Sequence, residues 1–251
     1  MENNIIKTAR LLAKAAACWL VVAAAASGQT VRPVVDELHN PGKGWVEYVN
    51  DGLVPLNVVL EARSFTVSET GGITYRPLDP EIHLRLSSTS FRIQPKQTYY
   101  VSYEASADQA PAWFVIYAGF TGFGFQIGQG INTRLLLPHT VYLLPKQSLE
   151  KSDVRIKRAE FSPADGKITV DVENTGDYFG RVLETNLVYS KKKEEEPGFP
   201  LYPHSHRIME FSLSDKNQGQ AAPTAVLLQF SSFKLEEKLE RRAVTASAGN
   251  P

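Results

Sequence analysis

The sequence contains a single cysteine, Cys18, and this residue lies within the first 28 positions. A mature chain without that segment has no disulfide, so its stability has to come from a hydrophobic core. With 251 residues in all, the chain is long enough to bury such a core, as one large domain or as two small ones.

Motifs of catalysis and of phosphate binding are also absent. The chain has no G-x-S-x-G, H-E-x-x-H or G-x-x-x-x-G-K sequence, and no cysteine is left to act as a nucleophile. The carboxylates in strand-like segments, such as Glu61 and Glu104, alternate with apolar residues and are expected on a solvated face, not as a catalytic pair in a cleft. We therefore predict that the protein is not an enzyme and that it needs no cofactor.

The charges are balanced at 27 basic and 27 acidic residues, without a basic stripe. Nucleic acid is therefore not an expected partner, and no small-molecule substrate is evident. Among the five histidines, only His204 and His206 would share a face of an extended segment, and no third ligand accompanies them, so we predict no metal site. The charge block at residues 191–196, followed by P-G-F-P, predicts a solvated loop.

The N-terminal segment has the layout of a cleaved secretory signal. Lys7, Arg10 and Lys14 precede a short apolar run at residues 15–26, and small residues follow it. This run is too short to cross a hydrocarbon core, which needs about 20 helical residues. We predict that residues 1–28 are a signal peptide and that the protein is periplasmic or secreted. An uncleaved membrane anchor is the alternative.

The remaining chain consists of short strand-like segments rich in β-branched and aromatic residues, separated by turn residues. Such spacing predicts an all-β fold with two immunoglobulin-like β-sandwich domains in tandem. We place the first domain at residues 29–147, the second at residues 153–245, and a disordered tail at residues 246–251. Residues 235–242 have helix propensity, but we prefer a last strand there, because the second sandwich otherwise lacks the strand that closes it.

A glycine-rich stretch at residues 122–131, GFGFQIGQGI, carries an apolar alternation. Phe123, Phe125 and Ile127 are spaced by two, and Ile131 follows after a slip. Such alternation is typical of a strand with one apolar face. That face either covers the protein's own sheet or is offered to another protein.

Residues 86–106, LSSTSFRIQPKQTYYVSYEAS, contain a Phe-Arg-aliphatic-x-Pro element formed by Phe91, Arg92, Ile93 and Pro95. This element resembles the first immunoglobulin-like domain of the PapD-like periplasmic chaperones of the chaperone/usher pilus pathway. The order of parts is similar as well: a signal peptide, a first sandwich, an extended strand ending in VYLLPK, and a second sandwich with the turn VENTGDYF.

The resemblance implies that the protein binds pilin-type subunits, which are incomplete β-sandwiches, by strand addition during pilus assembly, with an outer-membrane usher as a further partner. In that family the last strand of the first domain lends alternating apolar side chains to the subunit. By position, that set here is Phe123, Phe125, Ile127, Ile131 and Leu135. Self-association through the same edge strand is a further expectation.

One departure from the family concerns the anchor for the subunit's terminal carboxylate. The family uses an Arg of the first strand and a Lys of the last strand, whereas the nearest counterparts here are Arg32 and His139. The departure keeps two other hypotheses open. The protein could be a structural or adhesive module without chaperone activity, or a carbohydrate-binding module with a row of exposed aromatic residues.

Overall fold

The computed structural model describes residues 28–122, 134–190, 192–213 and 222–242. The signal segment before Gly28, the tail 246–251 and the predicted donor residues Phe123, Phe125, Ile127 and Ile131 lie outside the described residues. The described chain is built of β-strands with one 3₁₀ turn at Lys151–Asp153. None of its helical segments has the length and apolar character that crossing a membrane requires.

The first ten strands pair only with one another and form two facing sheets. They are β1 Gln29–Arg32, β2 Val35–His39, β3 Gly42–Asn50, β4 Leu56–Val67, β5 Ile73–Pro77, β6 Ile82–Leu86, β7 Ser90–Ile93, β8 Gln97–Ala107, β9 Ala112–Thr121 and β10 Leu135–Leu144. One sheet has the order β1-β3-β8-β6; the other has the order β2-β10-β9-β4-β5, with β7 also beside β4. Only β2 and β10 pair in parallel; the other neighbours of this sandwich are antiparallel.

The last eight strands form a second sandwich, which confirms the predicted fold class. They are β11 Val154–Ser162, β12 Lys167–Asn174, β13 Gly180–Val188, β14 Lys193–Leu201, β15 Ser205–Ser212, β16 Ala225–Gln229, β17 Lys234–Lys238 and β18 Glu240–Arg241. Its sheets have the orders β15-β12-β11-β18 and β14-β13-β16-β17. Residues 235–242 are extended, as preferred from the sequence, and the chain passes at Leu239 from one sheet to the other.

The prediction of a solvated loop at residues 191–196 is wrong, because β14 begins at Lys193 and continues through P-G-F-P. β14 is an edge strand, so one of its sides has no strand neighbour, and charged residues and prolines are common in such strands. The hydroxyl of Tyr189 donates to Glu194 at 2.9 Å and helps to hold the hairpin. At its far end, Phe199 and Leu201 enter the core.

Alternation along β9 divides its side chains between two packing layers. Phe114, Ile116 and Phe120 point into the core of the first sandwich, together with Tyr48 and Val46 of β3. Full burial of one such side chain contributes about 1.5–3 kcal/mol, so this layer accounts for much of the stability of a chain without disulfides. The other face of β9 points out of the sandwich.

The same asparagine turn closes a strand in each sandwich. Asn50, at the end of β3, accepts a hydrogen bond from the Gly52 amide at 3.0 Å and donates to the Val54 carbonyl at 2.8 Å. Asn174, at the end of β12, makes the same two bonds to residues two and four positions further on. Both side chains are fully buried, and the local signals are N-D-G and N-T-G, which are typical of tight turns.

Candidate functional site

Strand β10 lies between β9 and β2, but β2 covers only half of it. Residues 140–144 pair with β2 in parallel, whereas the pairing with β9 extends over residues 135–143. Strand β2 reaches no further because the chain changes sheets at Pro33 and runs as β1 beside β3. Within the described part of the chain, residues 135–139 therefore have a strand neighbour on one side only.

The direction of one hydrogen bond identifies which backbone groups face this open edge. The Thr140 N–H donates to the Val34 carbonyl at 2.8 Å, so residue 140 points away from β9. In an antiparallel ladder both backbone groups of a residue point to the same side, and successive residues alternate. Leu136 and Pro138 therefore point to the open edge, where only Leu136 supplies an N–H group because proline has none.

The side chains of this half of β10 alternate between the core and the surface. Leu135 and Leu137 pack, partly buried, against the protein's own first core. Leu135, predicted as a donated side chain, is thus in contact with its own sandwich. Leu136 points outward with 50% of its surface exposed, opposite Gly119 and in line with Val59, which is 51% exposed.

His139 is fully buried and faces the interior of the first sandwich. Its Nδ1 lies 2.7 Å from the Pro33 carbonyl and its Nε2 lies 3.2 Å from the hydroxyl of Tyr103, which donates to Asp36 at 2.7 Å. Burial lowers the pKa of His139, against the raising effects of Pro33 and Asp36. His139 thus ties β10 to the segment where the chain changes sheets, and it is not an exposed cation.

Arg32 lies on the outer face of the other sheet, where its Nε is 2.5 Å from Glu47 Oε1. The structure does not bring Arg32 and His139 together, because one side chain is largely exposed and the other is enclosed in the core. The expectation that these two residues form a shared carboxylate anchor is therefore not supported by the geometry.

The outer face of the β10-β9-β4 sheet packs against the second sandwich. This outer face carries Phe65, Val115 and Tyr142, which form a buried cluster with Phe179 and Tyr202 of the second sandwich. The indole nitrogen of Trp113 donates to the Phe65 carbonyl at 2.8 Å, and its ring lies 4.6 Å from that of Tyr202. The two sandwiches are thus held together by aromatic packing, to which β10 contributes Tyr142 from the half that β2 covers.

An ion pair also joins the two sandwiches. The Nε atom of Arg181, in β13, lies 2.6 Å from Oε1 of Glu37, in β2. The guanidinium carbon of Arg181 is 5.2 Å from the ring centre of Tyr142 and 5.7 Å from that of Phe179, within the range of cation–π attraction. Sequence reasoning missed this pair because its members lie 144 residues apart and neither has a local signal.

His204 and His206 contact different carboxylates. The Nε2 atom of His204 is 2.7 Å from Asp177, whereas that of His206 is 3.2 Å from Glu69 of the first sandwich. Within the described ranges, no cluster of three or more histidine, cysteine or acidic side chains could hold a metal ion.

The arrangement of the two sandwiches is similar to that of solved fimbrial chaperones. The SafB chaperone of Salmonella enterica, solved with the SafA pilin, has a TM-score of 0.54 at 10% identity over 85% of this chain and 97% of that chain. The YadV chaperone has a TM-score of 0.52 at 11% identity, over 84% of this chain and 99% of that chain. The class 5 fimbriae chaperone CfaA has a TM-score of 0.51 at 11% identity, over 85% of this chain and 99% of that chain.

No family model matches the chain, and no curated protein matches it. At these identities the structural likeness concerns the fold. The fold is that of the PapD-like chaperones, and the resemblance drawn from residues 86–106 is confirmed at that level.

Proposed function

We propose that this protein is a periplasmic chaperone that binds incomplete, pilin-type β-sandwich subunits by strand addition during pilus assembly. The observation that carries the proposal is the half-paired strand β10: among the described residues, no strand pairs with the backbone groups of residues 135–139 on the side away from β9. An added strand would pair with those groups and gain main-chain hydrogen bonds.

The residues at this edge favour pairing with a strand of another protein, because they do little to protect the edge from it. Proteins usually protect a free edge with charges, prolines or a short length. Strand β14 shows such protection, with four charged residues and two prolines. The open half of β10 has one proline, and its one titratable side chain, His139, is buried, while Leu136 is exposed.

Two solved complexes of the same fold support the class of partner. SafB was solved with a pilin, and a chain from the Acinetobacter baumannii CsuC–CsuE chaperone–tip adhesion subunit complex has a TM-score of 0.50 to this one. We infer a client of that kind here. An outer-membrane usher that receives the complex belongs to the same proposal, as does export by residues 1–28.

The predicted donor residues fit this proposal by position. Phe123, Phe125, Ile127 and Ile131 directly precede β10 in the sequence. A strand that continues β10 toward its N-terminus would place them beside the client, with their alternate side chains available to fill its groove. Under this proposal, the Leu135 side chain keeps packing against the protein's own core, and the donated side chains are those of Phe123, Phe125, Ile127 and Ile131.

The test exploits the one N–H group that the described part of the open edge, residues 135–139, directs away from β9. Leu136→Pro removes that donor and no described internal hydrogen bond, whereas the matched control Leu136→Ala keeps it. Each variant is co-expressed in a bacterial periplasm with the pilin-type subunits of the source genome, and soluble complex is measured by size-exclusion chromatography.

We expect about tenfold less complex for Leu136→Pro than for Leu136→Ala, at a thermal midpoint close to that of the original chain. Equal recovery with both variants would rule out addition at this edge. If the unchanged chain captures none of the subunits, the structural or adhesive module becomes the better explanation.

A further inference from the structure

The two sandwiches also touch at a second place, the turn between β4 and β5 at residues 68–72. The Ile208 N–H of β15 donates to the Glu69 carbonyl at 2.8 Å. Arg207 Nη1 lies 3.4 Å from the carbonyl oxygens of Ser68 and Glu69. A Cβ on Gly71 would lie 2.0 Å from Arg207 Nη2, so the end of the arginine side chain would have to move. The φ of 91° at Gly71 also favours glycine there.

His206 lies at this contact between two carboxylates, one from each sandwich. Its Nε2 is 3.2 Å from Glu69 Oε1 in the turn, and its Nδ1 is 3.4 Å from Asp171 Oδ1 in β12. A neutral imidazole has one N–H group and can donate to only one of them, whereas the imidazolium donates to both. Consistent with this, His206 Nδ1 and Asp171 Oδ1 are both buried and lack a hydrogen bond.

Other charges around His206 are mostly engaged elsewhere. Glu173, opposite His206 on β12, is held by Arg155 at 2.8 Å and lies 3.8 Å from Lys157. Arg158 stands opposite Asp171 in the β11–β12 register, and Arg207 is directed to the turn carbonyls. Among the described residues, Glu69 and Asp171 form no ion pair except with His206.

We propose that His206 is a proton-operated clasp between the two sandwiches. When protonated, it connects Glu69 to Asp171 and holds the β4–β5 turn on the second sandwich. When neutral, it keeps one of the two contacts and faces the other carboxylate with a lone pair, which loosens the turn. Histidine is the side chain whose charge ordinarily changes between pH 5 and 8.

The clasp goes beyond strand addition, because it concerns the angle between the sandwiches and needs no client. The clasp adds to the interface that the aromatic cluster and the Glu37–Arg181 pair form, because it fixes the β4–β5 turn to β15 and β12 of the second sandwich. An interface held at more of its points restricts rotation of one domain on the other more strongly. Protonation therefore selects one angle from a broader range.

The test measures the distance between the sandwiches directly. The full chain with Cys18→Ser has no native cysteine, so spin labels can be placed at Thr98→Cys and Lys234→Cys, both exposed positions. Double electron–electron resonance is recorded at pH 5 and pH 8. We expect a distance distribution about twofold narrower at the lower pH.

Two variants test whether His206 causes the narrower distance distribution at pH 5. His206→Gln is expected to give the broad distribution at both pH values. His204→Gln is the matched control, because His204 contacts Asp177 within its own sandwich and should leave the response intact. A pH-independent distribution in the unchanged chain, or an equal loss of response in both variants, would overturn the clasp. The experiment contains no client, so neither result bears on the strand-addition proposal, which the Leu136 variants test.

Discussion

Tyr142 and Tyr202 meet across the interface between the two sandwiches, with their hydroxyl oxygens 3.1 Å apart. Tyr142 belongs to the last strand of the first sandwich, and Tyr202 directly follows β14 of the second. Both side chains are buried, so each hydroxyl depends on the other for a partner. The pair thus couples the strand that carries the open edge to the orientation of the second sandwich.

Removing one of these hydroxyls should destabilise the protein by leaving the other unsatisfied. We expect Tyr142→Phe and Tyr202→Phe each to lower the free energy of unfolding by about 1–3 kcal/mol, and the double variant to cost less than the sum. Urea denaturation of the four proteins gives the coupling energy. Strict additivity would mean that the two hydroxyls do not interact in solution.

The asparagine turn of the first sandwich should be a sensitive position. The Asn50 amide donates to the carbonyls of Val54, Ile93 and Gln94 at 2.8–3.3 Å. We expect Asn50→Ala to lower the free energy of unfolding by about 3 kcal/mol, because several buried groups lose their partner. Asn57→Ala, at an exposed position, should stay within about 0.5 kcal/mol. An effect of Asn50→Ala as small as that of the control would show that the turn does not need its side chain.

The buried His139 should make the protein less stable in mild acid. Burial holds its pKa below that of the unfolded chain, which titrates near pH 6.5, so below about 6.5 the unfolded state binds more protons. Its stabilising contribution is therefore present above that pH and is lost as the pH falls.

We expect His139→Gln to flatten the fall in the urea midpoint between pH 8 and pH 5, with the exposed His83→Gln as control. The comparison is made in the His206→Gln background, so that the proposed clasp is absent from both proteins. An unchanged slope in His139→Gln would assign the acid sensitivity to other groups.

The open edge should be visible in amide hydrogen exchange. We expect the Leu136 N–H to exchange about 100-fold faster than the N–H groups of Leu135 and Leu137, which point to β9, and of Thr140, which bonds to Val34. Residue-resolved exchange by NMR on the free protein measures this difference. Equal protection at Leu136 would mean that another part of the chain covers the edge. That result would favour the hypothesis of a structural or adhesive module.

Local sequence patterns predicted most strands, because alternation and turn chemistry act over a few residues. The same local reasoning failed at β14, where a run of charges and prolines indicates solvation. An edge strand is solvated on its free side, so composition alone could not separate it from a loop. The five residues of strand β5 are all exposed and owe their conformation to pairing with β4.

Composition, alternation and turn residues indicate that the chain is all-β and forms two sandwiches without disulfides, and residues 86–106 show motifs shared with the PapD-like chaperones. Three-dimensional packing reveals that β2 begins beside Thr140, that His139 turns inward, and that Glu37 and Glu69 meet Arg181 and His206. The reason is that strand formation depends on neighbours in the sequence, whereas an open edge and an interdomain contact depend on segments that folding brings together from more than 100 residues apart.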